Sequence, residues 1–286
     1  MRIAFLGPAG TFSEDALLAA VGNADIDPLP RPSVYAAIRA VEAGEADRAL
    51  VPFENSIEGS VRSTLDTLAF EAPGVAIAGE HDHAVRHSLI ARADVPLGRI
   101  AVVLSHPQAS AQCARFLREH LPHARVRAAE STADAVRSVA SSDEPWAALG
   151  AASAAQIYGC VVLRRGVEDN PDNVTRFVWI APEGTQPSGG GAWRTTLVFS
   201  ELGADHPGAL VEALTEFSSR GVNLTRIESR PLRQGLGRYM FFCDLDGAAG
   251  DGPVDEAIRA LRGKAESVRV LGSYPISTSG MPGTSR

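Results

Sequence analysis

Over the first two-thirds of the chain, short apolar runs alternate with stretches of helical periodicity. "RIAFL" (2–6) predicts a strand, and residues 13–22 a helix. Ser33 is placed to cap a helix through Ala43, and "RALV" (48–51) returns as a strand. Apolar residues at helical spacing fill 60–70, and "GVAIAGE" (74–80) predicts another strand. "RIAVVL" (99–104) is apolar enough for a fully buried strand, and Pro107 then opens a helix at a favoured first-turn position. "ARVRAA" (124–129), a helix capped by Ser131, "WAALGA" (146–151), a helix over 152–158, "CVVL" (160–163) and "TRFVWIA" (175–181) continue the alternation. Such alternation predicts an α/β sheet architecture whose ligands sit where loops leave the carboxyl ends of strands.

The pattern breaks at "PEGTQPSGGGAW" (182–193), a proline- and glycine-rich linker without periodicity. Beyond it, strand patterns at 193–202, 222–232, 237–247 and 266–274 enclose helical patterns at 207–220 and 253–262. The order β-α-β-β-α-β predicts a ferredoxin-like unit, which leaves one sheet face and one edge available. The boundaries expected are a first domain over 1–182, a linker over 183–193, a second domain over 194–275 and a flexible tail over 276–286.

Composition narrows the function. The 286 residues are 45% hydrophobic and 21% charged, as in a protein with a substantial core, and the net charge of −7 argues against a general nucleic-acid binder or a basic membrane patch. No apolar run is long enough to span a bilayer and no leader pattern opens the chain, so a cytoplasmic protein is expected. Cys113, Cys160 and Cys243 lie far apart, as befits reduced thiols. Lys264 is the sole lysine and falls in the second domain, which argues against Schiff-base chemistry.

Several polar turns follow strands. "GPAGTFSE" (7–14) lacks the third glycine of a dinucleotide turn and the lysine of a P-loop. Thr11 and Glu14 have capping-box spacing, so the stretch fits a capped turn at least as well as an anion site. "VPFENSIEGSVRSTLDTL" (51–68) crowds Glu54, Asn55, Ser56 and Glu58 into one loop. "LSHPQASAQC" (104–113) and "NPDNVTRF" (170–177) add Ser105, Gln108, Thr175 and Arg176. Ser105 is not in a nucleophile elbow, which weakens a hydrolase reading. His81, His83 and His87 lie in "HDHAVRH"; on a strand His81 and His83 would share one exposed face, and no carboxylate-rich motif accompanies them, so no metal is expected.

Taken in order, "GPAGTFSEDA", "VPFENSIEGSVRSTLD", "HSL", "SHPQASAQC", "YGC" and "NVTRF" resemble the motifs of the prephenate dehydratase family, and "HPGALVEAL…GVNLTRIESRPL" resembles its regulatory ACT domain. The resemblance spans nearly the whole chain outside the tail and is closest to the monofunctional bacterial form. Cys160 departs from it, standing where an apolar residue such as leucine is expected. The resemblance implies a two-lobed catalytic domain like a periplasmic binding protein, lobe one at about 1–80 plus 170–182 and lobe two at about 81–169. It implies that Thr175, Arg176, Asn55, Ser56 and Glu54 are catalytic, and that Thr11, Phe12, Ser13, Ser88, Ser105, Gln108 and Phe177 bind substrate. Thr11–Ser13 and Asn55–Ser56 would anchor the pyruvyl carboxylate. Gly208, Ala209, Leu210, Asn223, Leu224, Glu228, Ser229, Arg230 and Pro231 would surround L-phenylalanine as effector in a homodimer or homotetramer. No cofactor is implied. Arogenate dehydratase, and a non-catalytic amino-acid sensor, are the alternatives.

Overall fold

The computed structural model describes residues 1–187, 189–202, 206–250 and 252–276. The expected tail lies outside the described residues, apart from Ile276. Contacts divide the chain into two compact units: Met1–Val61 with Asp82–Phe177, and Arg62–His81 with the chain from Val178 onward. This division cuts across the expected boundaries, because Arg62–His81 buries itself with the C-terminal part.

The strands Arg2–Leu6 (β1), Asp27–Arg31 (β2), Arg48–Asn55 (β3), Gly59–Ser60 (β4), Val75–Ala84 (β5) and Val174–Pro182 (β11) form a sheet in the order β2-β1-β3-β11-β5, with β4 on β3. Phe12–Val21 (α1) and Val34–Glu42 (α2) connect its first three strands. β1 lies inside the sheet, between β2 and β3, and its apolar run is wholly buried at Ile3, Ala4 and Phe5. β2, "DPLPR", has no strand signature and its two prolines argue against one. It survives as an edge: Asp27 N–H donates to Met1 O, so the positions of Pro28 and Pro30, which have no N–H, face outward.

A second sheet, order β10-β6-β9-β7-β8, combines Ser88–Ala91 (β6), Val102–Ser105 (β7), Arg125–Ala128 (β8), Trp146–Gly150 (β9) and Val161–Arg165 (β10). Pro107–Gln112 (α4), Ala114–His120 (α5), Thr132–Ala140 (α6) and Ala152–Ile157 (α7) join its strands. Its core is Leu89, Val103, Leu117 and Leu149 on one side and Ile90, Val136 and Ala148 on the other.

The periodicity over 60–70 resolves into a short helix, Arg62–Asp66 (α3), followed by a π turn over Thr67–Glu71. Thr67 Oγ1 donates to Ser63 O at 2.7 Å, taking the carbonyl that a regular helical N–H would use. The expected exposed face of His81 and His83 is also corrected. β5 runs on to Ala84, His81 is buried, and His83 is half-buried with its ring edge-on to Phe177 at 6.4 Å.

In the second unit, Trp193–Ser200 (β12), Ala209–Ser218 (α8), Leu224–Pro231 (β13), Tyr239–Asp246 (β14), Gly252–Leu261 (α9) and Ser267–Pro275 (β15) give the expected β-α-β-β-α-β order. The sheet is antiparallel, β13-β14-β12-β15, and Leu197, Phe199, Phe217, Leu245, Ile258 and Leu261 fill the core beneath its helices. The other sheet face was expected to be available. Instead Arg62–His81 covers it, and Thr196, Met240, Phe242, Asp244 and Tyr274 are buried. The approach is close at Gly272, where a Cβ would lie 2.2 Å from Ile77 O. Only a residue without a side chain fits there. Gly272→Ala should therefore cost about 1–3 kcal/mol, as overpacking against backbone does. Thermal unfolding of the variant should show a Tm several degrees below wild type; an unchanged Tm would contradict this packing.

Candidate active site

A cavity of about 560 Å³ opens in the first unit, where the turn after β1, the end of β3, the start of β11 and the N-termini of α4 and α6 converge. Its floor is a chain of amide hydrogen bonds whose polarity follows from one end. Asn55 Oδ1 accepts the N–H groups of Ile57 and Glu58 at 2.9 and 3.0 Å. The amide nitrogen must then face the cavity. Asn55 Nδ2 donates to Asn173 Oδ1 at 2.7 Å and to Thr175 Oγ1 at 2.9 Å.

The far end gives the same answer. Glu58 Oε1 faces Gln112 Nε2 at 3.2 Å, and a carboxylate only accepts, so the amide nitrogen of Gln112 is the end that meets it. Gln112 Oε1 is left to accept from Asn173 Nδ2 at 3.0 Å and from His87 Nε2, 3.1 Å away. His87 is thus the Nε2–H tautomer. Burial pushes its pKa below the ordinary imidazole value, opposed by the Gln112 bond and the Glu168 charge, so the ring is held neutral. Phe12 packs edge-to-face on it at 5.0 Å.

Thr175 is nearly buried and accepts from Asn55. Its own proton is therefore free to point at whatever fills the cavity. Strand alternation puts Thr175 and Phe177 on the cavity side of β11 and Arg176 on the other. There Arg176 pairs with Glu54 at 3.0 Å and lies over the Phe53 ring at 4.9 Å. Neither Arg176 nor Glu54 lines the cavity.

Three further expected residues stand back from the cavity. Ser56 Oγ donates to Asp172 O and accepts from Val174 N, so it shapes the 170–174 turn. Ser105 is fully buried and donates to Leu149 O, tying β7 to β9. Ser88 is buried in β6, turned opposite to its neighbour His87. Thr11, Phe12, Ser13, Asn55, Gln108, Thr175 and Phe177 do line the cavity.

The opening turn departs from the expected capping box in one bond: Thr11 is the N-cap, but Glu14 closes on the N–H of the residue before it. Thr11 Oγ1 accepts from Glu14 N at 3.4 Å and donates to Leu6 O at 3.1 Å, while Glu14 Oε2 accepts from Gly10 N at 2.6 Å. The Thr11 hydroxyl and the Gly10 N–H are both committed inside the turn. Asn55 is likewise saturated internally, so it holds Thr175 where a carboxylate anchor was expected. His87, Gln112 and Asn173 belong to the site although the sequence assigns them no role; the spacing of Gln108 and Gln112, four apart, is the available signal for Gln112. Arg137 on α6 lines the cavity too, paired with Asp134.

The second unit has its own cavity, about 460 Å³, at the N-terminus of α8. Gly208, in the left-handed region at φ 97°, Ala209 and Leu210 line it with Arg238, Tyr239 and Phe241. Asn223 and Leu224 border a separate groove beside Val211 and Leu214. Glu228, Ser229, Arg230 and Pro231 line neither, because β13 is an edge strand and the Arg230 guanidinium is turned onto Asp66. Among the described residues, no cluster of three or more His, Cys, Asp or Glu is placed to hold a metal, and no helix is long and apolar enough to cross a membrane.

Comparison with known proteins agrees with the motifs. Residues 3–185 match the family model of prephenate dehydratase, and residues 196–263 that of the ACT domain. A prephenate dehydratase of Mycobacterium sp. (strain JLS) is 45% identical over 97% of this chain and 90% of its own. The crystal structure of prephenate dehydratase from Arthrobacter aurescens in complex with L-Phe is 43% identical, covers 99% of this chain and 92% of that one, and superimposes with a TM-score of 0.88. A structure described as GqqA, a novel type of quorum quenching acylase, is 31% identical over 97% of this chain and 98% of that one, with a TM-score of 0.84. The chain belongs to the prephenate dehydratase family, with an ACT domain following the dehydratase part.

Proposed function

We propose that the first cavity converts prephenate to phenylpyruvate, water and carbon dioxide, and that the second binds L-phenylalanine, which inhibits the reaction. The observation that carries the catalytic reading is the Thr175 hydroxyl, held as an acceptor by Asn55 and so left with its proton for the substrate. Prephenate loses its ring carboxylate as carbon dioxide. The electron pair of the breaking carbon–carbon bond enters the ring, and the ring carbon–oxygen bond breaks with its pair on the departing oxygen. That oxygen leaves as water, its proton drawn finally from solvent. A hydroxyl aimed at the oxygen stabilises the charge as it develops, the term that contributes most when the donor is preorganised.

The ring carboxylate loses its charge during the reaction, so a cation clamped on it would hold the ground state back. The apolar faces of Phe12 and Phe177 suit that group. The pyruvyl carboxylate keeps its charge and suits the Arg137 side. His87, held neutral, orients Gln112 and does not supply the proton. No step requires a metal or an organic cofactor.

For the effector, Leu202, Leu210, Leu232 and Phe241 offer apolar surface for a ring, and Arg238, paired with Glu201 in the cavity wall, a guanidinium that a ligand carboxylate would share. The relative crystallised with L-Phe supports the same ligand here. The edge position of β13 suits pairing with a second copy, which would bring Glu228–Pro231 to a ligand at the interface of a homodimer or homotetramer. A cytoplasmic location and a role in phenylalanine biosynthesis accompany this reading.

Phenylpyruvate formation from prephenate tests the catalytic reading, with arogenate as the competing substrate. Wild type should turn over prephenate in preference. Thr175→Ala should lower kcat about 10²–10³-fold, the usual loss of one such donor, with an unchanged Tm. A folded Thr175→Ala variant with near-normal kcat, or a wild type that forms no phenylpyruvate, would overturn the assignment.

A further inference from the structure

Arg62–His81 belongs to the dehydratase family match yet packs on the ACT sheet, and both its ends lead directly into the cavity wall. Val61 precedes it and Val85 lies just beyond it; both line the cavity. Within the second unit, arginines of the ACT domain hold this segment at several points. Arg194 pairs with Glu80, and Arg269 donates to the carbonyls of Leu68 and Ala72 at 2.8 and 3.2 Å.

Asp66 is gripped most closely. Its Oδ1 accepts from Arg230 Nε and Nη2 at 3.2 and 2.9 Å, and its Oδ2 from Arg230 Nη2 at 2.8 Å and from Arg233 Nη2 at 2.7 Å. The carboxylate and the Arg230 guanidinium are mostly buried, at 17% and 16% exposed, so water screens the pair little. A planar fork on a carboxylate also fixes orientation, which a single point charge would not.

On the ACT side, Arg230 sits opposite Met240 and Pro231 opposite Tyr239 across the β13–β14 ladder. Tyr239 and its neighbour Arg238 line the second cavity. On the other side, α3 begins at Arg62, directly after the Asn55–Val61 loop whose N–H groups orient Asn55. Asp66 therefore closes a short covalent and ionic route from the effector cavity to the residue that aims Thr175.

We propose that Asp66 couples the two cavities: occupancy at the ACT domain shifts β13–β14, and the Arg230–Asp66 clamp carries the shift into α3 and the Asn55 loop. The proposal rests on the functional reading above. Coupling is a free energy between two binding events, and its loss is separable from loss of either event.

The test uses the full-length chain, L-phenylalanine as ligand and phenylpyruvate formation as readout. Asp66→Asn keeps the shape of the side chain and removes the charge. It should bind L-phenylalanine by calorimetry within about threefold of wild type and keep its uninhibited turnover within about threefold. At saturating L-phenylalanine its residual activity should be at least about tenfold higher than that of wild type, inside the usual 5–150-fold span of allosteric coupling. Arg233→Gln, at a half-exposed position, leaves Arg230 in place and should shift inhibition less, in the same direction; it also serves should Asp66→Asn fail to fold. Inhibition unchanged in a folded Asp66→Asn, or in Arg233→Gln should Asp66→Asn fail to fold, overturns the proposal, as does loss of L-phenylalanine binding by Asp66→Asn, which would make Asp66 a ligand contact. A wild type that forms no phenylpyruvate overturns the functional reading itself, whereas a wild type inhibited normally alongside an equally inhibited Asp66→Asn overturns the coupling alone.

Discussion

The polarity of one carboxamide organises the candidate active site. Asn55 has no freedom to flip, because two backbone N–H groups of its own loop occupy its oxygen and leave its nitrogen to donate. Everything inward follows: Asn173 accepts, Thr175 accepts, and Gln112 is turned with its oxygen toward Asn173 and His87. Glu58 pins the opposite end of the same chain. Buried polar networks of this kind are stable only when satisfied throughout, and satisfaction here also defines direction. The result is a hydroxyl with one unused hydrogen in the wall of a cavity. A threonine is a poor acid in isolation; a threonine that already accepts a hydrogen bond is a better-aimed donor.

A second constraint governs the ACT part. An antiparallel sheet with helices on one face ordinarily leaves the other face to water. Here that face carries Thr196, Asp244, Arg226 and Arg230 among its apolar residues, and the segment Arg62–His81 covers it. Gly272 permits the contact and the arginines orient it. The segment is thus shared in a physical sense. Its sequence belongs to the catalytic family match, and its burial belongs to the regulatory sheet.

Much of this is legible in the chain. The apolar runs of β1, β7 and β9 and the period of α2 and α6 announce themselves, since each buries a face that local spacing records. The ordered motifs identify the family and place Asn55 and Thr175 in one site. What stays hidden is non-local. Asn55 and Thr175 are 120 residues apart, and nothing in either stretch shows that the amide of one saturates the hydroxyl of the other. β2 escapes a sequence reading because its prolines are acceptable only at an edge, which is a property of the assembled sheet. The alternation of Arg226, Glu228 and Arg230 along β13 resembles a solvated strand face; the Asp66 partner of Arg230 becomes visible only once α3 is docked. His81 and His83 mislead for the same reason, since burial of a strand face depends on what covers it.

That Asn55 aims the Thr175 proton is tested most directly by Asn55→Asp. The substitution preserves size and the acceptor of the Ile57 and Glu58 N–H groups, and it replaces the donor to Thr175 with a second acceptor. The Thr175 hydroxyl would then give its proton to the introduced carboxylate in place of the substrate. Measured at saturating prephenate, where charge repulsion in binding does not enter, kcat should fall about 10²-fold or more, as for loss of a preorganised donor. A kcat within about twofold of wild type, in a variant with unchanged Tm, would contradict this account of the donor, whose typical removal is far more costly.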